Sequence, residues 1–396
     1  MVLIGTYVGR DLRGMGLRIC SRCIYDESIH GIEFDSHGVC NYCQQVEGLR
    51  EEYGTGAEAG IRKFEKIVDE IKKAGNGKRY DVVIGVSGGT DSSYMLHLAR
   101  CYGLRPLAVH YDNTWNTAVA TQNISAVTSV LDIDLSTHVC DAVESADIFR
   151  SFFLAGVPEI DGPTDLAITE VLYRAAARHG TKYVFEGHSF LTEGISPLGR
   201  SYIDGAYVAG IHARFGSVPM RSYPNMGFWR FLYWSIFRNI RRVRPFWYLP
   251  YSKAEGRSLL EEEYGWKDYG GHHLENRMTA FNHSYYFPTK FDVDQRNNSL
   301  SAACRTGLIS REDALAELAS PPYMEANLLE YVRKRFGIDE VEWLRIMTAR
   351  PRSYLDYRTY KKRFEMFRPV FAQLVSSGRV PASFYLKYCF PQKVAK

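Results

Sequence analysis

The stretch from Asp81 to Arg100, DVVIGVSGGTDSSYMLHLAR, constrains this chain more than any other. Val82, Val83, Ile84 and Val86 form a short β-branched apolar run bounded by turn residues, the pattern of a strand covered on both faces of a parallel sheet. Ser87-Gly88-Gly89-Thr90-Asp91-Ser92-Ser93 follows at once, and Tyr94 to Arg100 continues at helical spacing, with Met95, Leu96, Leu98 and Ala99 available to pack on the sheet. Two glycines let the backbone approach an anion without a Cβ in the way. The hydroxyls and the first N–H groups of the helix complete a phosphate cradle. Ser, Gly and Asp are also common helix caps, so an ordinary strand-to-helix turn is the competing reading. The complete strand, loop and helix context favours the cradle. No Gly-Lys-Ser/Thr follows the glycines, so it is not a Walker loop.

Alternating strands and helices continue beyond this unit. Arg105 to Asp112 reads as a second strand, Thr121 to Leu131 as a helix, Leu135 to Cys140 as a third strand, Leu166 to His179 as a helix and Lys182 to Glu186 as a further strand. That alternation predicts an α/β fold with a doubly wound parallel sheet. Ligands of such sheets bind at the carboxyl ends of the strands. Asp112 and Asn113, Glu186 and Gly187, and His188 fall at those ends and are candidate contacts, with a plain turn as the alternative for the first pair. His188 reads as either a catalytic base or a loop hydrogen-bonder. A dense group of carboxylates, histidines and basic residues between Trp266 and Arg296 suits a phosphate-rich site or a charged surface loop, and contributes Lys290 as a candidate catalytic residue.

Cys20-x2-Cys23 and Cys40-x2-Cys43 are separated by sixteen residues, a spacing that places two knuckles around one metal. Four thiolates close a tetrahedral shell and leave no open position, so a structural Zn²⁺ is expected, with His30 and His37 as loop residues rather than ligands. Leu49 to Ala74 reads as an amphipathic connector helix. The chain of 396 residues thereby divides into a zinc module at 1–50, an α/β domain at 51–320 and a helical extension at 321–396 with no evident chemistry.

A net charge of +4 is compatible with an anionic substrate and too weak to argue for nucleic acid. Met1 to Arg18 has no apolar block of signal-peptide length, and no run approaches a membrane span, so a cytoplasmic location is expected. Phe228 to Val243 packs aromatics between Arg230, Arg238, Arg241 and Arg242. It is read as a core helix with one solvated face, not as a membrane-surface element.

SGGxDS, here Ser87, Gly88, Gly89, Asp91 and Ser92, resembles the signature of the PP-loop ATP pyrophosphatases. Together with the cysteine pairs, HYDNTWN, VPEIDGPTD, TEGI and WKDYGGHH, it resembles the N-acetyl sugar amidotransferases of lipopolysaccharide and flagellin glycan biosynthesis, over roughly residues 20 to 320. The strand-end EGHS at 186–189 departs from the small-residue form of that family. The resemblance implies ATP and Mg²⁺ as cofactors, with Ser87, Gly88, Gly89, Thr90, Asp91 and Ser92 holding the departing pyrophosphate and Asp91 and Ser92 acting in catalysis. It implies a nucleotide-linked N-acetyl sugar as acceptor and a separate class I glutaminase subunit as the ammonia source. Val2 and the settings of the eight cysteines match no glutaminase nucleophile. A PP-loop tRNA thiolation enzyme is the alternative. Cys101, Cys140, Cys304 and Cys389, scattered singly, weigh against it. A zinc-ribbon interaction protein would leave the loop unexplained.

Overall fold

A computed structural model describes residues 7–197, 201–271 and 274–391; His272 and His273 of the WKDYGGHH motif lie outside the described residues. Five parallel strands, β1 (Val82–Gly85), β2 (Pro106–Asp112), β3 (Leu135–Val139), β4 (Tyr183–Phe185) and β5 (Arg241–Val243), form one sheet in the order β3-β2-β1-β4-β5. The order reverses at β1. The chain leaves β1 to one side and returns to the other, and a crevice opens where the carboxyl ends of β1 and β4 part.

Strand alternation divides the apolar residues between two layers. Val82, Ile84 and Val86 pack with Phe64, Met95, Leu96 and Ile124, which belong to α2 (Glu58–Ala74), α3 (Thr90–Cys101) and α4 (Ala118–Val130). Val83, Leu107 and Val109 face α5 (Ala142–Ala155) and α6 (Gly162–His179). The same layer takes in Phe336, Trp343, Phe364 and Phe371 from the C-terminal helices. Among the described residues no helix is long and apolar enough to cross a membrane.

Two sequence expectations change. The connector is two helices, α1 (Asn41–Tyr53) and α2, because Gly54 and Gly56 adopt φ of +68° and +76° and break the chain between them. Phe228 to Val243 is not one helix: a short α-helix at Phe228–Leu232 runs into a π-helical turn at Tyr233–Phe237, and Arg241–Val243 is the edge strand β5. Its arginines are spoken for by distant partners. Arg230 pairs with the buried carboxylate of Glu170, Arg238 donates to Ala177 O at 2.7 Å, and Arg242 pairs with Glu186. Those contacts across the fold outweigh the local helical pattern.

Two buried lysines end helices. Lys290, expected in the site, instead donates its ammonium to the carbonyls of Ile346 (2.5 Å) and Ala349 (2.8 Å), where the helix Glu340–Thr348 stops. Lys361 does the same at the end of Ala382–Tyr388, donating to the carbonyls of Lys387, Tyr388 and Phe390 at 2.9, 3.1 and 2.6 Å. A cation at a helix carboxyl end satisfies orphan carbonyls and opposes the dipole. Lys290 is therefore a structural cap, and it lines neither of the cavities described below.

Candidate active site

The loop after β1 is held in one shape. Gly88 has φ of +83°, and a Cβ there would lie 2.2 Å from the carbonyl oxygen of Ala120. Its own carbonyl accepts from Trp266 Nε1 (3.0 Å) and Asn123 Nδ2 (3.2 Å). Ser92 Oγ accepts from the Ser87 N–H and donates to the Gly89 carbonyl, both at 3.2 Å, which closes the turn from within. Helix α3 then starts on Gly89 without a side-chain cap, so its first-turn N–H groups are suited to an anion. Asp91 is held by Tyr251 Oη (2.5 Å) and Lys253 Nζ (2.8 Å), which brings an ammonium beside the loop.

Beside the loop, the end of β4 presents Glu186-Gly187-His188. Glu186 lies between Arg242 and Arg244, and Arg244 Nε is 2.9 Å from the carboxylate. His188 Nδ1 accepts from Trp247 Nε1 at 3.2 Å. The indole can only donate, so the imidazole proton sits on Nε2. Burial, reinforced by Arg244, lowers the His188 pKa to about 4, and the ring is neutral at pH 7.

An amide ladder braces the β2 end. Asn276 Nδ2 donates to both Asn113 Oδ1 and Asn116 Oδ1 at 2.9 Å, and Asn116 Nδ2 meets His110 Nε2 at 3.1 Å. The His110 Nδ1–H donates to the carbonyl of Val86 at 2.7 Å, tying the ladder to the start of the loop.

These groups border two cavities. A chamber of about 180 Å³ lies against Ser87, Gly89, Asp91 and Ser92 and is closed by Gly187, His188, Glu193, Tyr269 and Glu275. It adjoins a cavity of about 790 Å³, reached by Ser87, Ser92, Asn113, Glu186, Gly187 and His188. Besides Lys290, three expected residues stand back from both: Gly88 shapes the loop, Thr90 is buried in the first helical turn, and Asp112 accepts the Thr114 N–H at 2.7 Å. The sequence reading missed Lys253 and the Arg242–Arg244 pair, and it pointed to Tyr269 and Glu275 only as members of the polar run after Trp266. Lys253 follows the capping residue Ser252, a helix signal that conceals its role. Glu275 lies in the polar run after Trp266 that suited a phosphate-rich site or a surface loop, and its Oε1 lies 3.5 Å from Ser87 Oγ.

Outside both cavities, the sulfurs of Cys20, Cys23, Cys40 and Cys43 are buried and lie within 4.8 Å of one another. Opposed pairs are 3.9 and 3.8 Å apart. A tetrahedron with Zn–S arms of about 2.3 Å has edges of about 3.8 Å, so the donor set fits zinc. Arg305, on the helix Arg296–Thr306, donates to Cys43 Sγ at 3.2 Å and Cys23 Sγ at 3.3 Å, offsetting the thiolate charge.

The segment that begins at Glu275 is similar to a known family. Residues 275–370 match the family model described as LPS biosynthesis protein WbpG-like, C-terminal domain. That agrees with the resemblance read from the motifs. The SGGTDS loop and this matched segment meet at one chamber, which Ser87 and Glu275 both border. No curated protein matches. Among solved structures, NMN synthetase from Francisella tularensis is 15% identical, with a TM-score of 0.29 over 70% of this chain and 92% of that one. NH3-dependent NAD synthetase from Campylobacter jejuni is 14% identical, with a TM-score of 0.30 over 69% and 91%. Scores that low carry no argument about this chain's chemistry.

The neutral imidazole gives a pH prediction. Its folded pKa, about 4, lies below the ordinary histidine value. The unfolded chain therefore binds more protons between about pH 6.5 and that value, and folding stability falls as pH drops through that window. His188→Gln should remove this part of the acid destabilisation, and the His188 ring signal should titrate below pH 5 by NMR. A midpoint near 6.5 would contradict the assignment.

Proposed function

We propose that this protein is an ATP-dependent amidotransferase that forms AMP and pyrophosphate while converting the acetamido group of a nucleotide-linked sugar to an acetamidino group. Its setting is surface-polysaccharide or flagellin glycan synthesis, and its ammonia comes from a separate class I glutaminase. The supporting observation is the meeting, in one chamber, of the SGGxDS loop with Glu275 of the WbpG-like segment.

An amide oxygen is a poor leaving group, so it must be activated. Attack of the acetamido oxygen on the α-phosphorus of ATP breaks the α–β bond, releases pyrophosphate and leaves an imidate ester of AMP. Ammonia adds to the imidate carbon, and AMP departs with the oxygen. Ser87, Ser92 and the first-turn N–H groups of α3 bind the leaving pyrophosphate, and Lys253, held by Asp91, offsets its growing charge. Asn113 and the Glu186–Gly187 strand end border the nucleotide. His188 is a hydrogen-bond donor through Nε2 rather than a base. Asp91, Glu193 and Glu275 are the chamber carboxylates that could hold Mg²⁺, which would add charge neutralisation at the pyrophosphate. The cysteine cluster, without an open position, is a structural zinc centre. No cysteine is among the described residues bordering either cavity, which weighs against sulfur transfer in tRNA thiolation.

With ammonium, ATP and a nucleotide-linked diacetamido sugar, phosphorus NMR should show AMP and pyrophosphate, and the sugar should change mass as oxygen is replaced by NH. Asp91→Asn should slow AMP formation about a hundredfold or more, because Lys253 loses its charged anchor. ADP and phosphate as products would overturn the reading. Glutamine should replace ammonium only when a glutaminase is added.

Metal analysis should find one zinc per chain. Arg305→Met should release that zinc to a chelator about ten- to a hundredfold faster, through loss of its bonds to two thiolates. Unchanged release, or an iron–sulfur cluster, would contradict the structural role.

A further inference from the structure

The larger cavity continues where no PP-loop residue lies. Tyr360, Phe364, Phe384, Lys387 and Tyr388 border it, yet none of them borders the smaller chamber around the loop. Four of the five are aromatic, and the wall they make is built rather than incidental. Phe384 stacks on Tyr388 with ring centroids 4.3 Å apart, and on Phe231 at 5.0 Å. Tyr388 Oη donates to Ile203 O at 2.9 Å, and the Tyr360 N–H donates to Asp204 at 2.6 Å. The buried ammonium of Lys361 holds the end of the helix Ala382–Tyr388 through the Lys387 and Tyr388 carbonyls. The side chain of Lys387 therefore springs from a fixed backbone. Its ammonium donates to Ser201 Oγ at 3.1 Å and is coupled to the carboxylates of Glu159 and Asp165. Asp165 borders the same cavity.

A rigid aromatic wall with an ammonium and a carboxylate at its edge suits a ligand with apolar ring faces and hydroxyls around its rim. That describes a pyranose better than a polyphosphate, because the other two cations bordering the cavity, Arg242 and Arg244, are already paired with Glu186. The total volume, about 790 Å³, is at the large end for small-molecule sites of about 300–1,000 Å³, so it has room beyond what a nucleotide needs. We propose that this end of the cavity is the acceptor subsite, where Tyr360, Phe384 and Tyr388 pack on an N-acetylated pyranose and Lys387 and Asp165 hydrogen-bond its hydroxyls. The C-terminal helices then select the sugar while the loop serves ATP. Residues 381–388 lie beyond the matched segment 275–370, so this part of the wall belongs to the chain's own tail. The assignment rests on the amidotransferase reading for the identity of the sugar.

The test uses UDP-N-acetylglucosamine as the probe and a non-hydrolysable ATP analogue, with the full-length protein, Lys387→Met and Phe384→Leu, each shown folded by thermal melting. In saturation-transfer NMR the pyranose and acetyl protons of the probe should receive saturation from the wild-type protein. Each variant should weaken probe binding about tenfold or more, the loss of one charged hydrogen bond or one ring contact. Affinity for the ATP analogue should stay within about twofold, because these residues lie outside the loop chamber. No saturation of the pyranose protons, equal binding by both variants, or a parallel loss of the ATP analogue would overturn the subsite. Failure of the wild-type protein to bind the ATP analogue would overturn the amidotransferase reading instead, whatever the probe does, so the two failures are distinct.

Discussion

The site depends on the space denied at Gly88. Its φ of +83° and the Ala120 carbonyl 2.2 Å from where a Cβ would sit admit no other residue without moving α4. With its carbonyl drawn toward Trp266 and Asn123, the loop is tied to α4 and to residue 266 at once. Sheet order then fixes what faces it. Because the chain departs from β1 in both directions, the Glu186–His188 strand end and the loop open side by side into one crevice.

Around that crevice three cations are already paired. Lys253 rests on Asp91, and Arg242 and Arg244 share Glu186. Such pairs keep partly buried charges from standing alone, a state that would cost several kcal/mol per ion. They also fix where a polyphosphate gains most. Lys253 sits behind the loop on Asp91, whereas Arg242 and Arg244 border the larger cavity at the edge of the sheet.

Much of this was legible in the sequence where the signal is local. The β-branched run of β1, the glycines after it and the paired cysteines each carry their meaning within a few residues, and the structure has a strand, a tight loop and a closed four-sulfur cluster there. What escaped depends on partners far along the chain. Arg241–Val243 continues an aromatic and arginine pattern that reads as helix, and only pairing with β4 and the Glu186 contact make it a strand. Lys290 sits among polar residues that suggest a site, yet it caps a helix more than fifty positions later, at Ile346. The tail reads as helices with basic exposed faces and no chemistry, and that pattern cannot say that Phe384 and Tyr388 border the cavity begun by the loop.

The central claim is that the acetamido oxygen is activated by transfer of AMP. The most direct measurement uses a nucleotide-linked sugar carrying a heavy-oxygen label in that acetamido carbonyl, with ammonium and ATP. The account predicts that the label leaves in the phosphate of AMP, seen by mass spectrometry and by the isotope shift of its phosphorus signal, one label for each acetamidino group formed. Label found in pyrophosphate, in inorganic phosphate or in water, with unlabelled AMP, would contradict it.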